Sequence, residues 1–254
     1  MKLHYKSFGK GFPIIILHGL FGTLDNWQTI AKQLAMDYMV YIVDLRNHGR
    51  SPHSENFGYT IMAEDLLAFM EDNWIYQTHI IGHSMGGKTA MQFALNYPDL
   101  IEKLVIVDIA TRSYRDGHSD IFKALFSLDL SSLRSRRVAE ESLGKDIKEL
   151  AVRQFLLKNL TRDKEGNFSW KMNLPIIHQY YPEILSAIQS SNTFDQPTLF
   201  LRGELSDYIL PNDLVVMKQL FPSATLETVA NAGHWIHAEA PKVFLEKVKN
   251  FLKK

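Results

Sequence analysis

The 254-residue chain carries 28 basic and 28 acidic residues, a formal net charge of zero, and 46% of it is hydrophobic. That balance removes the electrostatic case for nucleic acid or an anionic membrane surface, and the length suits one α/β domain with a substantial core. Cysteine is absent, which excludes disulfides, thiolate metal sites and a cysteine nucleophile. The apolar run Phe12 to Leu17 is short, contains Pro13 and ends at His18-Gly19, unlike a signal peptide. No segment has the ~18 uninterrupted apolar residues of a membrane span. A cytoplasmic enzyme without nucleic-acid or membrane partners is the expectation, and no feature specifies an oligomeric state.

Strand-length apolar runs recur at Pro13 to Leu17, Met39 to Val43, Thr78 to Ile81, Leu104 to Val107, Thr198 to Leu201 and Thr225 to Val229. Several are continuously apolar, as parallel strands covered on both faces require. Helix-period segments lie between most of them. Leu24 to Leu34 is one, and Ile61 to Trp74 follows Thr60 as N-cap, with Glu64 and Asp65 in its early turns. Another starts near Pro211, and the last runs from Pro241 through Phe244, Val248 and Phe251. The alternation predicts a doubly wound, mostly parallel sheet. It stops between Thr111 and Gln196, where helix-like amphipathic sequence such as Ile147 to Leu160 takes over, with a turn at Glu165-Gly166-Asn167. This reads as a single domain with core 1–110 and 197–254 and a helical cap insertion at 111–196.

Gly82-His83-Ser84-Met85-Gly86-Gly87-Lys88-Thr89 fits two unrelated patterns. As a phosphate-binding P-loop it puts Lys88 on phosphates and Thr89 on magnesium. As G-x-S-x-G it is a nucleophile elbow that lifts the Ser84 hydroxyl above a sheet. Both need a strand before and a helix after, and Asp108 at the end of the next strand imitates a magnesium ligand. Other residues break the tie.

A serine hydrolase needs a nucleophile, a base, an acid to orient the base, and amide donors for the oxyanion. Ser84 supplies the hydroxyl, and Met85 N–H one donor. The loop His18-Gly19-Leu20-Phe21-Gly22 supplies the second, from Leu20 or alternatively Phe21, and His18 itself reads as structural. Of ten histidines, His234 alone combines a late loop, a preceding glycine and a following helix. His234 and His237 have no third ligand motif beside them, so no metal or other cofactor is expected. The acid lies either at Asp108 or in the Leu201 to Tyr208 segment, at Asp207. Other histidines (His48, His53, His79, His83, His118, His178) read as turn, surface or packing residues, and Lys88 as a helix residue with a solvated ammonium.

With these motifs, Asp44-Leu45-Arg46-Asn47-His48-Gly49-Arg50-Ser51 and Gly233-His234-Trp235, the chain resembles the α/β-hydrolase superfamily, most closely the YbfF-type bacterial esterases and their eukaryotic relative abhydrolase-domain protein 11. The resemblance implies an α/β-hydrolase fold, places the acid at Asp108, and makes Ser206 a partner of the His234–Asp108 pair. The expected activity is hydrolysis of short- to medium-chain acyl esters or thioesters, acyl-CoA among them, through an acyl-enzyme. Alternatives are carbon–carbon bond hydrolysis or lysis and, more distantly, nucleotide binding or a non-catalytic binding module. Phe21, Trp235 and Tyr208 are candidate walls of the acyl pocket. Arg134, Arg136 and Arg137 are either phosphate contacts for acyl-CoA or a solvated helix face, the latter favoured.

Overall fold

A computed structural model describes residues 1–253. In chain order the elements are β1 (Tyr5–Gly9), β2 (Pro13–Leu17), α1 (Gln28–Leu34), β3 (Met39–Val43), α2 (Tyr59–Asp72), β4 (Thr78–His83), α3 (Met85–Asn96) and β5 (Ile101–Val107). Then come α4 (Ser119–Ser127), α5 (Arg136–Leu143), α6 (Leu150–Leu157), β6 (Leu160–Arg162), β7 (Phe168–Trp170), α7 (Leu174–Gln179) and α8 (Tyr181–Leu185). The chain closes with β8 (Thr198–Gly203), α9 (Asp213–Leu220), β9 (Ala224–Val229), α10 (Ile236–Glu239) and α11 (Pro241–Lys253).

Seven strands form one sheet in the order β1-β3-β2-β4-β5-β8-β9, parallel except for β1 against β3. Alternating side chains of each strand enter opposite layers. Ile14, Ile16, Val105 and Leu201 pack with Ile30 and Leu34 of α1 and with Phe244 and Val248 of α11. Ile15, Leu17, Ile80 and Ile106 pack with Met62, Leu66 and Phe69 of α2 and with Met91 and Ala94 of α3. Both faces are covered, which is why the central strands tolerate unbroken apolar sequence.

The segment between β5 and β8 adds no strand to this sheet. Its β6 and β7 pair antiparallel with each other, around the turn at Gly166. Two links tie this segment back to the Asp44 to Ser51 turn: Asn173 N–H donates to the Asn47 carbonyl at 2.8 Å, and its side-chain amide donates to Asn47 Oδ1 at 3.2 Å.

Two local expectations are corrected. Residues 24–34 divide into a 3-10 turn over Leu24–Trp27 and then α1, because Thr23 and Asn26 cap each other and close a tight turn first. Helix α2 starts at Tyr59 after Gly58, so Thr60 lies inside its first turn rather than capping it. Helix α9 starts at Asp213, near Pro211 as expected, and the Asp213 carboxylate takes the Leu210 N–H and the Arg112 guanidinium.

Candidate active site

The elbow between β4 and α3 forces Ser84 to φ 53° and ψ −120°, a costly conformation that persists only where its surroundings over-determine it. Gly82 and Gly86 make it possible. A Cβ at Gly86 would stand 2.4 Å from the His18 carbonyl oxygen, and one at Gly82 would stand 2.4 Å from the Gly86 carbonyl oxygen. The spacing of the pentapeptide therefore records backbone approach.

Opposite Ser84 lies the loop after β2. The Gly19 carbonyl accepts from Gly22 N–H at 2.9 Å and pairs with His18 Nδ1 at 2.9 Å. His18 Nε2 accepts from Leu45 N–H at 3.0 Å, so the proton sits on Nδ1 and His18 donates it to Gly19. Burial pushes this imidazole down to about 4, which keeps it neutral. With the carbonyl held on one side, the planar peptide aims Leu20 N–H the other way. Leu20 N–H has no acceptor among the described residues, and Met85, first in α3, has none within its helix. Phe21, at φ 58°, is fixed by Asn159 after α6, whose amide donates to its carbonyl at 2.6 Å.

Asp108 follows β5 at φ 51° and is fully buried. Its Oδ1 accepts from Gly203 N–H at 2.9 Å, and its Oδ2 accepts from the Ser206 hydroxyl and from His234 Nδ1 at 2.8 Å. A carboxylate only accepts, so Nδ1 carries the imidazole proton and Nε2 keeps its lone pair. Tyr208 stacks on the His234 ring at 3.9 Å. Glu239 of α10 grips the loop by accepting from Gly233 N–H at 2.6 Å and Trp235 N–H at 3.1 Å. His83 Nε2 donates to the His234 carbonyl at 2.9 Å, so the residue preceding Ser84 also holds the backbone of His234. Asp207 is exposed and offers only its carbonyl, to Arg112 at 2.9 Å.

Two cavities meet at Ser84. One, of about 180 Å³, is lined by Leu20, Met85, Ile109, Tyr114, Ile184 and Leu185 among others. The second, of about 220 Å³, is lined by Phe21, Phe155, Trp235 and His234. Leu20, Ser84, Gly117, His118 and Tyr208 belong to both. Of the expected acyl-pocket walls, Phe21 and Trp235 line only the second cavity, while Tyr208 lines both. Three of the four phenols of the first cavity are occupied by protein: Tyr59 donates to the Ile184 carbonyl at 2.6 Å, Tyr114 to the Tyr208 carbonyl at 2.6 Å, and Tyr181 meets His118 Nδ1 at 2.6 Å; the fourth, Tyr208, is shared with the second cavity.

Lys88 departs from the sequence reading. Its ammonium is buried rather than solvated, donating to the Arg112 carbonyl at 3.0 Å and to the Ser186 carbonyl, and lying 4.9 Å from the Tyr114 ring centre. Burial lowers its pKa to about 7. Thr89 donates to the Met85 carbonyl at 3.0 Å. Neither side chain is free for a phosphate or magnesium, which removes the P-loop reading. Arg134, Arg136 and Arg137 are all exposed, as the favoured solvated-face reading expects, and the Arg136 guanidinium also donates to the Leu157 and Leu160 carbonyls. Arg134, Arg136 and Arg137 lie outside both Ser84 cavities. Sequence reasoning missed the work of His83, His118, Tyr181, Asn159 and Glu239. Only Glu239, following Trp235 by one helical turn, left a sequence trace. Among the described residues no group of three or more His, Asp or Glu side chains is placed to hold a metal, and no helix is long and apolar enough to cross a membrane.

A family model described as the alpha/beta hydrolase fold matches residues 13–241. The chain is 39% identical over 264 residues to the sn-1-specific diacylglycerol lipase ABHD11 of Danio rerio, covering 99% of this chain and 83% of that protein. It is 36% identical over 241 residues to the esterase YbfF of Escherichia coli strain K12, covering 94% of this chain and 92% of that one. Among solved structures it is similar to a marine microorganism esterase at 43% identity and a TM-score of 0.96, covering 98% and 99% of the two chains.

Proposed function

The chain belongs to the α/β-hydrolase family and has serine-hydrolase activity on small esters, and from that premise we propose that Ser84, His234 and Asp108 carry it out as a triad. The supporting observation is that His234 and Ser84 open on one cavity while His234 Nδ1 is held 2.8 Å from a fully buried Asp108. His234 Nε2 takes the Ser84 proton as Oγ attacks the acyl carbon. Leu20 and Met85 N–H donate to the resulting oxyanion. Collapse expels the alcohol or thiol, which leaves with the proton from Nε2. Water, deprotonated by the same nitrogen, then attacks the acyl-enzyme, and Ser84 recovers its proton as the acid departs. Ser206 keeps Asp108 Oδ2 saturated, and the alternative acid Asp207 takes no part.

The leaving oxygen has to come within reach of His234 Nε2. The alcohol portion therefore extends into the cavity lined by His234, and the acyl chain into the one lined by Met85 and Ile109. At about 180 Å³, the acyl cavity is smaller than the ~300–1,000 Å³ typical of drug-sized ligands. With three of its four phenols occupied, it offers a ligand mainly apolar surface. Both properties favour short- to medium-chain acyl groups, as esters or thioesters, over long chains presented at a lipid interface. The name of the Danio rerio relative includes a diacylglycerol lipase activity, and comparison of soluble and emulsified glycerides tests whether this chain shares it. Residues 111–196 act as the cap that encloses both cavities. A cytoplasmic setting belongs to the same proposal and rests on the cysteine-free composition.

Steady-state hydrolysis of 4-nitrophenyl butyrate by wild type and Ser84→Ala tests the assignment. A loss on the order of 10⁶ in kcat is the expectation for a triad nucleophile. Retention of more than a tenth of the activity would assign the nucleophile elsewhere.

A further inference from the structure

His118 precedes α4, in the segment between β5 and β8, and lines both Ser84 cavities. Its Nδ1 lies 2.6 Å from the Tyr181 hydroxyl, which also accepts from Gly117 N–H at 3.3 Å. A phenol has one proton to give; His118 Nδ1 at 2.6 Å is its hydrogen-bond partner, while the Asp116 carboxylate, the other acceptor beside it, is engaged by His118 N–H, Ser119 N–H and the Ser119 hydroxyl. Tyr181 therefore donates to Nδ1, and the imidazole carries its own proton on Nε2. Burial pushes His118 down to about 4, so it stays neutral and retains this single N–H donor. No described protein group accepts from Nε2, and Nε2 is not among the enclosed unpartnered atoms, so it is accessible on a residue that lines both cavities. Asp116 fixes the backbone here by accepting from His118 N–H at 3.0 Å and Ser119 N–H at 3.2 Å. The ring packs edge-on to Phe21 at 6.0 Å and to Tyr181 at 5.6 Å. The imidazole is held from two sides with its donor unassigned.

From this arrangement we propose that His118 is a substrate-binding residue whose Nε2–H donates to an oxygen in the alcohol portion of the substrate, so that the enzyme prefers esters of oxygen-bearing alcohols. The inference rests on the ester-hydrolase reading above. The acyl cavity has three of its four phenols occupied and a mainly apolar lining that favours hydrocarbon, so an oxygen acceptor belongs on the other side of the scissile bond. There it lies in the cavity that His118 shares with His234, within two or three carbons of the ester oxygen. An alkoxy, hydroxyl or second ester oxygen supplies the same acceptor. Leaving the donor unpaired beside a hydrocarbon alcohol is disfavoured, because a desolvated N–H loses its water partner and gains nothing. Tyr181 is a positioning residue that sets the tautomer.

The test compares 2-methoxyethyl butyrate with n-butyl butyrate, equal in chain length and differing by an ether oxygen. Rates are read by pH-stat and corrected for the two esters' hydroxide-catalysed hydrolysis. Wild type should favour the methoxyethyl ester by about tenfold in kcat/KM, the worth of one hydrogen bond of ordinary strength. His118→Phe should abolish the preference, its loss in kcat/KM falling mainly on the methoxyethyl ester. His118→Gln, which keeps an N–H donor, should restore part of it. Tyr181→Phe should reduce it in part, read as the ratio of the two esters' kcat/KM within that variant. Equal ratios in wild type and all variants would overturn the proposal while leaving the esterase reading intact. So would an equal loss on both esters in His118→Phe that Gln does not rescue, since that marks a structural role. Failure of wild type to hydrolyse either ester overturns the esterase reading and this proposal with it.

Discussion

Replacing Asp108 with Asn changes one atom at the centre of three hydrogen bonds. With the Asn oxygen kept on Gly203 N–H, the new NH₂ takes the place of Oδ2 and meets two former donors, the Ser206 hydroxyl and His234 Nδ1–H. Ser206 resolves the conflict by rotating its hydroxyl, because it can accept as well as donate. His234 resolves it only by moving its proton to Nε2, the atom that must accept from Ser84. The wrong tautomer then predominates, and the precedent for this change is a kcat loss on the order of 10⁴ with geometry preserved. KM should move little, since Asp108 is buried behind His234 and touches no substrate. Asp207→Asn alters an exposed carboxylate and should stay within about twofold, the scale of a ±0.5 kcal/mol surface change. Initial rates on 4-nitrophenyl butyrate, with thermal melts to confirm folding, measure both variants. An Asp108→Asn enzyme within tenfold of wild type, or a larger loss in Asp207→Asn, would refute the reasoning.

His18→Phe removes the donor that pins the Gly19 carbonyl and leaves Leu45 N–H unpaired; kcat should fall roughly tenfold to a hundredfold, short of the ~10²–10³ for deleting an oxyanion donor outright. A change confined to KM would contradict that role. Lys88 has its pKa lowered from 10.5 to about 7 by burial, so between those values the unfolded chain binds more protons at this site than the folded one. Its contribution penalises the fold below pH 7, and the penalty fades as pH rises toward 10.5, adding at most about 1.4 kcal/mol per pH unit to the free energy of unfolding. Lys88→Met should lose that slope in urea melts taken from pH 7 to 10, and identical slopes in the two proteins would show that Lys88 keeps an ordinary pKa. Across 4-nitrophenyl esters of increasing acyl length, kcat/KM should rise by up to ~0.8 kcal/mol per buried methylene and then fall once the cavity is full. Strong activation on long-chain triglyceride emulsions would instead identify a true lipase.

The sheet was legible where burial on both faces made strands continuously apolar, as at Ile14 to Leu17 and Leu104 to Val107. Strand β1, Tyr-Lys-Ser-Phe-Gly, was not, because an antiparallel edge strand half open to solvent has no such run. The hairpin of β6 and β7 has only three residues per strand, too few for a periodicity to emerge. Ser84, Asp108 and His234 were legible as candidates because each ends a strand or occupies a loop at the sheet's edge. Lys88 was misread for a physical reason: it lies on α3, and what covers it is the Arg112 and Ser186 carbonyls, the latter 98 residues away along the chain. His118 and Asn159 were invisible for the same reason, since their partners Tyr181 and Phe21 are 63 and 138 residues distant. Long-range folding of the 111–196 segment creates these contacts, and no local pattern encodes them.

Covalent capture of the nucleophile tests the central claim most directly. Wild type treated with a fluorophosphonate, followed by intact mass spectrometry and peptide mapping, should carry a single adduct located on Ser84. Ser84→Ala should carry none and should hydrolyse no ester. An adduct on another residue, or unlabelled wild-type protein that still turns over esters, would contradict the account.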